Sequence, residues 1–252
     1  MPAAKGRLRS ALMLGAVLAT AGGGLLAARL HGAGKATLPP DSVCRGTSSA
    51  GRLEQPGRLP MRGVNFQAYG RAGVVAGRTH AHVRAVRASL EAYAALAEDM
   101  PDAVFVYGES GHADGGPFPP HRTHQNGTSM DFMVPVRDRH GRSVPLPGHA
   151  GNRYGYDLEF DAQGRWRAGT DDELRIDFEA LGAHLRALAR SGRAHDAPIA
   201  RVILAPEYLP LLFATRHGPA LRRSLRFTRG KVWWRHDEHY HIDFRIPCEP
   251  LR

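Results

Sequence analysis

Apolar positions along the chain fall into two periods. Val83, Val86, Leu90, Tyr93 and Ala97 recur at alternating spacings of three and four, which predicts one apolar helical stripe with Thr79 as N-cap and Pro101 as its end. A second helix, capped by Asp177 and stopped by Gly192, carries Phe178, Leu181, Leu185 and Leu188. "AVFVY" (103–107), "MDFMVPV" (130–136), "IARVILA" (199–205) and the closing "HYHIDFRI" read as strands. "YDLEF" and "RWRAG" flank "DAQG" as a hairpin, and "PEYLPLLFAT" reads as a short helix entered through Pro206. Residues 32–77, rich in Gly, Pro and Ser, read as irregular surface structure. Helices and strands do not alternate in a βαβ rhythm. The expectation is an α+β single domain whose central sheet is mainly antiparallel and flanked by helices.

Composition narrows the setting. The 252 residues are 42% hydrophobic, enough for a buried core, and carry a net charge of +10 that is almost all arginine. Such a charge suits polyanionic surroundings but does not choose among them. "KGRLRS" followed by the uncharged "ALMLGAVLATAGGGLLAA" reads as an export signal, with "ATA" (19–21) as a cleavage site or the whole run as an anchor. Residues 1–30 are therefore assigned to a signal or anchor and 31–252 to the functional domain. No other segment approaches the ~20 apolar residues that span a bilayer. In an exported protein the two cysteines, Cys44 and Cys248, read as one disulfide between the ends of the chain.

Candidate chemistry begins in the loop between the strands at 103–107 and 130–136. It holds His112, His121 and His124 and leads to Asp131. In the closing strand His239 and His241 leave the same face, with Cα atoms roughly 6–7 Å apart. If one binds a metal, the other can reach water beside it, the arrangement a general base needs. Short motifs of this kind also arise by chance in a chain with 14 histidines. His80 and His82 form another His-x-His, at a helix start, and read as solvated surface. His–Asp pairs seven apart occur twice, at His124/Asp131 and His236/Asp243. A loop that runs into a strand favours the first as a metal pair. His112 reads as loop surface.

"PPHRTHQNGTSMDF" together with "WWRHDEHYHIDFRIPC" resembles the penicillin-insensitive murein endopeptidases. These are zinc peptidases related to D-alanyl-D-alanine peptidases and LytM-type enzymes, and they share a fold with the hedgehog domain. The resemblance runs from about "GTSSAGRLEQPGRLP" to the C-terminus and is thin between the two motifs. It implies that His124, Asp131 and His241 hold one Zn²⁺, with His239 as general base and His121 and His236 lining the site. The implied reaction is hydrolysis of the D-alanyl–meso-diaminopimelyl cross-links of periplasmic peptidoglycan. Two imidazoles and one carboxylate leave a fourth position for water, as in catalytic rather than structural zinc sites.

Two departures touch the implied specificity rather than the ligands: Ser129 stands where an acid is expected, and the family's further cysteines are absent. His236 has the opposite strand parity to His239 and joins the site only if the strand begins after it. Asp243 reads either as an imidazole partner or as a surface ion pair, and Trp233 and Trp234 either as substrate wall or as core. The alternatives are a zinc D,D-carboxypeptidase that trims terminal D-alanine and a non-catalytic cell-wall-binding module. No nucleic-acid recognition motif accompanies the basic charge, and membrane contact is expected only through an N-terminal anchor.

Overall fold

The structure, a computed structural model, describes residues 38–168, 174–230 and 235–251. The expected signal or anchor and the Trp233–Trp234 pair lie outside the described residues.

The chain enters through a hairpin of β1 (Val43–Thr47) and β2 (Ala50–Glu54), paired in register from Val43 with Glu54 to Thr47 with Ala50. This corrects the irregular reading of 32–77. Thr47, Ala50, Arg52 and Glu54 face solvent, and only Cys44, Gly51 and Leu53 are buried, so too few apolar side chains alternate to mark the strands in sequence. A short strand, β3 (Phe66–Ala68), follows.

Helix α1 (Val83–Asp99) starts four residues beyond Thr79. His82 is its N-cap, with a ring nitrogen accepting from the backbone N–H of Arg84 at 3.3 Å. Thr79 instead pairs with Gly111. His82 is also 2% exposed, so the expectation of a solvated His80/His82 pair fails for His82. The predicted stripe faces the core, with Leu90 and Ala97 at its half-buried margin. Ala85, Ala88, Ser89 and Ala92 are buried beside it and let a second helix approach closely.

After β4 (Phe105–Tyr107) and a long loop comes β5 (Ser129–Met133), all five residues of which are buried. Asp161 to Gly164 makes the expected tight turn, held by the Asp161–Arg165 backbone bond and a single Phe160–Trp166 bridge. Helix α2 (Phe178–Ala194) is capped by the Asp177 carboxylate, which accepts from the N–H of Ala180 at 3.0 Å. It runs through Gly192 rather than stopping there. A Cβ on Gly192 would lie 2.6 Å from the carbonyl oxygen of Ala197, so this glycine serves a close approach. The Ser191 hydroxyl donates across to the Ala88 carbonyl of α1 at 2.7 Å.

Strands β6 (Ile199–Ile203) and β7 (His239–Phe244) complete a five-stranded sheet of order β6-β7-β5-β4-β3. Every pairing in it is antiparallel except β3 with β4. The protein is thus α+β, with a mixed, mainly antiparallel central sheet. Parity divides the two faces of β7. Tyr240 pairs with Phe132, and both pack against His184 of α2. His239, His241 and Asp131 leave the opposite face, away from the helices.

A candidate metal centre

The loop between β4 and β5 is ordered by other parts of the chain. Gly116 donates to the Gly51 carbonyl and Gln125 to that of Ser48, so the β1–β2 hairpin braces it. Gly108 and Asp131 clasp its two ends, with Gly108 N–H on the Asp131 carbonyl and Asp131 N–H on that of Glu109. His124 sits in the left-handed region at φ 70°, which a non-glycine residue adopts only where its surroundings enforce it.

That conformation aims the His124 ring inward. Its Nδ1 lies 3.1 Å from the Ser110 carbonyl, which can only accept, so Nδ1 carries the proton and Nε2 a lone pair. Nε2 is buried without a hydrogen-bond partner, 3.3 Å from Oδ1 of Asp131. Burial holds the His124 pKa below its usual value. Burial alone would raise that of Asp131, but the surrounding imidazoles, His124 foremost, keep it well below the carboxylate range. A neutral imidazole lone pair aimed at a buried carboxylate is an arrangement that a cation would stabilise, and the donor set suits zinc.

One ligand atom each from His121, His124 and Asp131 lies within 4.8 Å of the others. This compact trio contains His121, where the expected set had His241. His241 is nonetheless adjacent, because β7 sets it directly across from Asp131. Its Nδ1 is 2.9 Å from Asp131 Oδ1, and its Nε2 is 2.8 Å from Asp243 Oδ1. Asp243 is therefore an imidazole partner, further held by the Ser129 hydroxyl at 2.7 Å and by Arg201 at 2.8 Å. The serine at the departing position has its own task in this network.

His121 faces Asp131 Oδ2 through Nδ1 at 3.7 Å, while its Nε2 is 2.8 Å from Glu109 Oε2. Glu109 also accepts from the Tyr69 hydroxyl and from Arg78. Although burial opposes ionisation, Arg78 and His121 hold the Glu109 pKa down to about 2. Phe118 stacks on His121 at 5.4 Å, and His112 packs edge-on against Phe118, so His112 is half-buried rather than loop surface.

His239 is 2% exposed, with Nε2 3.9 Å from Asp131 Oδ2 and Nδ1 2.8 Å from Glu238 Oε1. Burial lowers its pKa to about 4. The strand begins at His239, so parity does not govern His236, whose ring lies 4.7 Å from that of His239. Tyr156 closes the cluster: its hydroxyl accepts from Glu109 N–H at 2.8 Å and donates to Asp131 Oδ2 at 3.3 Å. Glu109, Tyr156 and Glu238 escaped the sequence reading. Glu238 lay inside the histidine-rich motif, whereas nothing local marked the other two.

No protein-family model matches the chain, and no curated protein matches it in sequence.

Proposed function

We propose that the protein is a zinc-dependent murein endopeptidase of the hedgehog/D,D-peptidase-like architecture, acting on D-alanyl–meso-diaminopimelyl cross-links of peptidoglycan. The observation that carries this reading is the buried, unpaired Nε2 of His124 against Asp131, with His121, His239 and His241 around the same carboxylate. His124 through Nε2, Asp131, and His241 through Nδ1 would hold the ion, with His121 facing the other oxygen of Asp131. Zn²⁺ bound there supplies Lewis-acid polarisation of the amide carbonyl and lowers the pKa of water to about 7.

The protein's own groups do the rest. His239 is neutral at pH 7 and can take the proton of the attacking water at Nε2. As the carbon–nitrogen bond breaks, it returns that proton to the leaving amine. Asp243 orients His241, and Glu109 orients His121, as carboxylates do behind metal-binding imidazoles. Burial holds the Tyr156 phenol protonated, so it remains a donor to Asp131. The Cys44–Cys248 disulfide is consistent with an exported protein, in keeping with a periplasmic location. Among the described residues no helix is long and apolar enough to cross a membrane.

The test is digestion of purified cross-linked peptidoglycan, with muropeptides resolved by mass. Zinc-loaded protein should convert dimers to monomers, and a chelated sample and His241→Ala should not. Release of D-alanine alone would replace the reading with the carboxypeptidase. Unchanged muropeptides with the zinc-loaded protein would leave a wall-binding module.

A further inference from the structure

Glu238 is fully buried beside the cluster, although an ionised carboxylate is among the costliest groups to bury. Neighbouring side chains in a strand diverge. Glu238 reaches His239 because it lies in a bend just before β7 begins. Its Oε1 is 2.8 Å from His239 Nδ1, and its Oε2 has no hydrogen-bond partner. The rest of the His239 ring meets other rings, with His236 at 4.7 Å and Tyr156 at 5.0 Å between centroids. His239 Nε2 lies 3.9 Å from Asp131, beyond hydrogen-bonding reach.

We propose that Glu238 is a positioning residue. It accepts the Nδ1–H of His239 and so fixes the neutral imidazole in the tautomer whose Nε2 lone pair faces the metal-binding carboxylate. An imidazole free to exchange tautomers would present Nε2–H there part of the time, and in that form it cannot take a proton. Burial, and then the nearby Asp237, push the Glu238 pKa up to about 10, so the group carries a proton at neutral pH. We place that proton on Oε2, leaving Oε1 as the acceptor; on Oε1 it would instead donate to Nδ1 and give the Nε2–H tautomer. A buried carboxyl that orients a histidine through its far nitrogen is the logic by which imidazole bases are held elsewhere. The inference rests on the peptidase reading, because the purpose of an oriented Nε2 is proton transfer.

The experiment is long-range ¹H–¹⁵N correlation of the His239 ring at neutral pH in the full chain, E238Q and E238M, run beside muropeptide cleavage by each. The wild type should show the Nδ1–H tautomer. E238Q, whose amide oxygen still accepts, should keep that tautomer and most of kcat. E238M, of similar length but with no acceptor, should lose the single tautomer and drop kcat about 10- to 100-fold with little change in KM. An Nε2–H tautomer in the wild type overturns the inference without any variant, so a misfolded E238M would not shelter it. So would E238M with unchanged tautomer and kcat. If the tautomers behave as expected while no protein cuts muropeptides, the peptidase reading falls and the positioning by Glu238 stands.

Discussion

His241 is gripped at both ring nitrogens by carboxylates, Asp131 at one and Asp243 at the other. Burial pulls its pKa down, but these two partners outweigh burial and carry it up to about 9. His124 shifts the other way, because burial dominates there. At pH 7, therefore, His241 holds a proton that a metal must displace, and His124 and Asp131 do not. Binding of each Zn²⁺ should release about one proton at pH 7, with affinity rising as pH approaches 9. Calorimetry in buffers of different ionisation enthalpy reads that number directly. Asp243→Asn keeps a hydrogen-bonding group but removes the charge. It should release less than one proton and weaken zinc binding about 10- to 100-fold. An unchanged proton count in the variant would show that Asp243 does not govern His241.

At the scale of elements, His184 joins α2 to the back of the sheet. Its Nδ1 lies 2.6 Å from the Tyr240 hydroxyl, and its ring packs on Tyr93, Phe105 and Phe132. Burial drives its pKa down to about 3, against about 6.5 in an unfolded chain. The unfolded state therefore binds the proton first. The packed, neutral histidine costs nothing above pH 6.5, and its own contribution lowers stability by about 1.4 kcal/mol per pH unit between pH 6.5 and 3. His184→Gln, which still offers Tyr240 an acceptor, should flatten that slope in urea unfolding between pH 6.5 and 4. Equal slopes in the two proteins would refute the assignment. α2 itself was legible from its stripe and from Asp177, because a cap and a 3.6-residue period are local properties. The start of α1 was not. Thr79 has the chemistry of a cap, but it lies in a bridge to Gly111 whose bonds are made by its neighbours Arg78 and His80, and His82 takes the role.

For the whole molecule, the Cys44–Cys248 bond joins residues 204 apart and ties the first hairpin to the chain beyond β7. It is also continuous with the loop that carries His121 and His124. Asn126 donates to Cys248 Sγ at 3.4 Å and accepts from Thr128, and Gln125 is bonded to the hairpin at Ser48. Reduction should lower stability by up to about 5 kcal/mol in the chain-entropy account. It should also speed zinc release, because the brace on the His124 loop loosens. Thermal unfolding and zinc-release rates, with and without reductant, separate the two effects. A lower melting temperature with an unchanged release rate would confine the clamp to the fold.

Some of this protein was determined by sequence alone, and for a common reason. Strand parity put His239 and His241 on one face, seven residues brought His124 to Asp131, and two cysteines in a long chain had one partner each. These relations follow from backbone periodicity and counting. Tertiary structure decided what depends on the chain returning to itself. It split the second His–Asp pair, setting His236 beside His239 and Asp243 behind His241. It drew His121 into the compact trio, buried His82, and supplied Glu109, Tyr156 and Glu238. In sequence those residues are a loop acid, a loop tyrosine and one more acid in a polar motif. Burial against distant elements turns them into partners of a single carboxylate and its ring of imidazoles, and a one-dimensional pattern carries no record of that proximity.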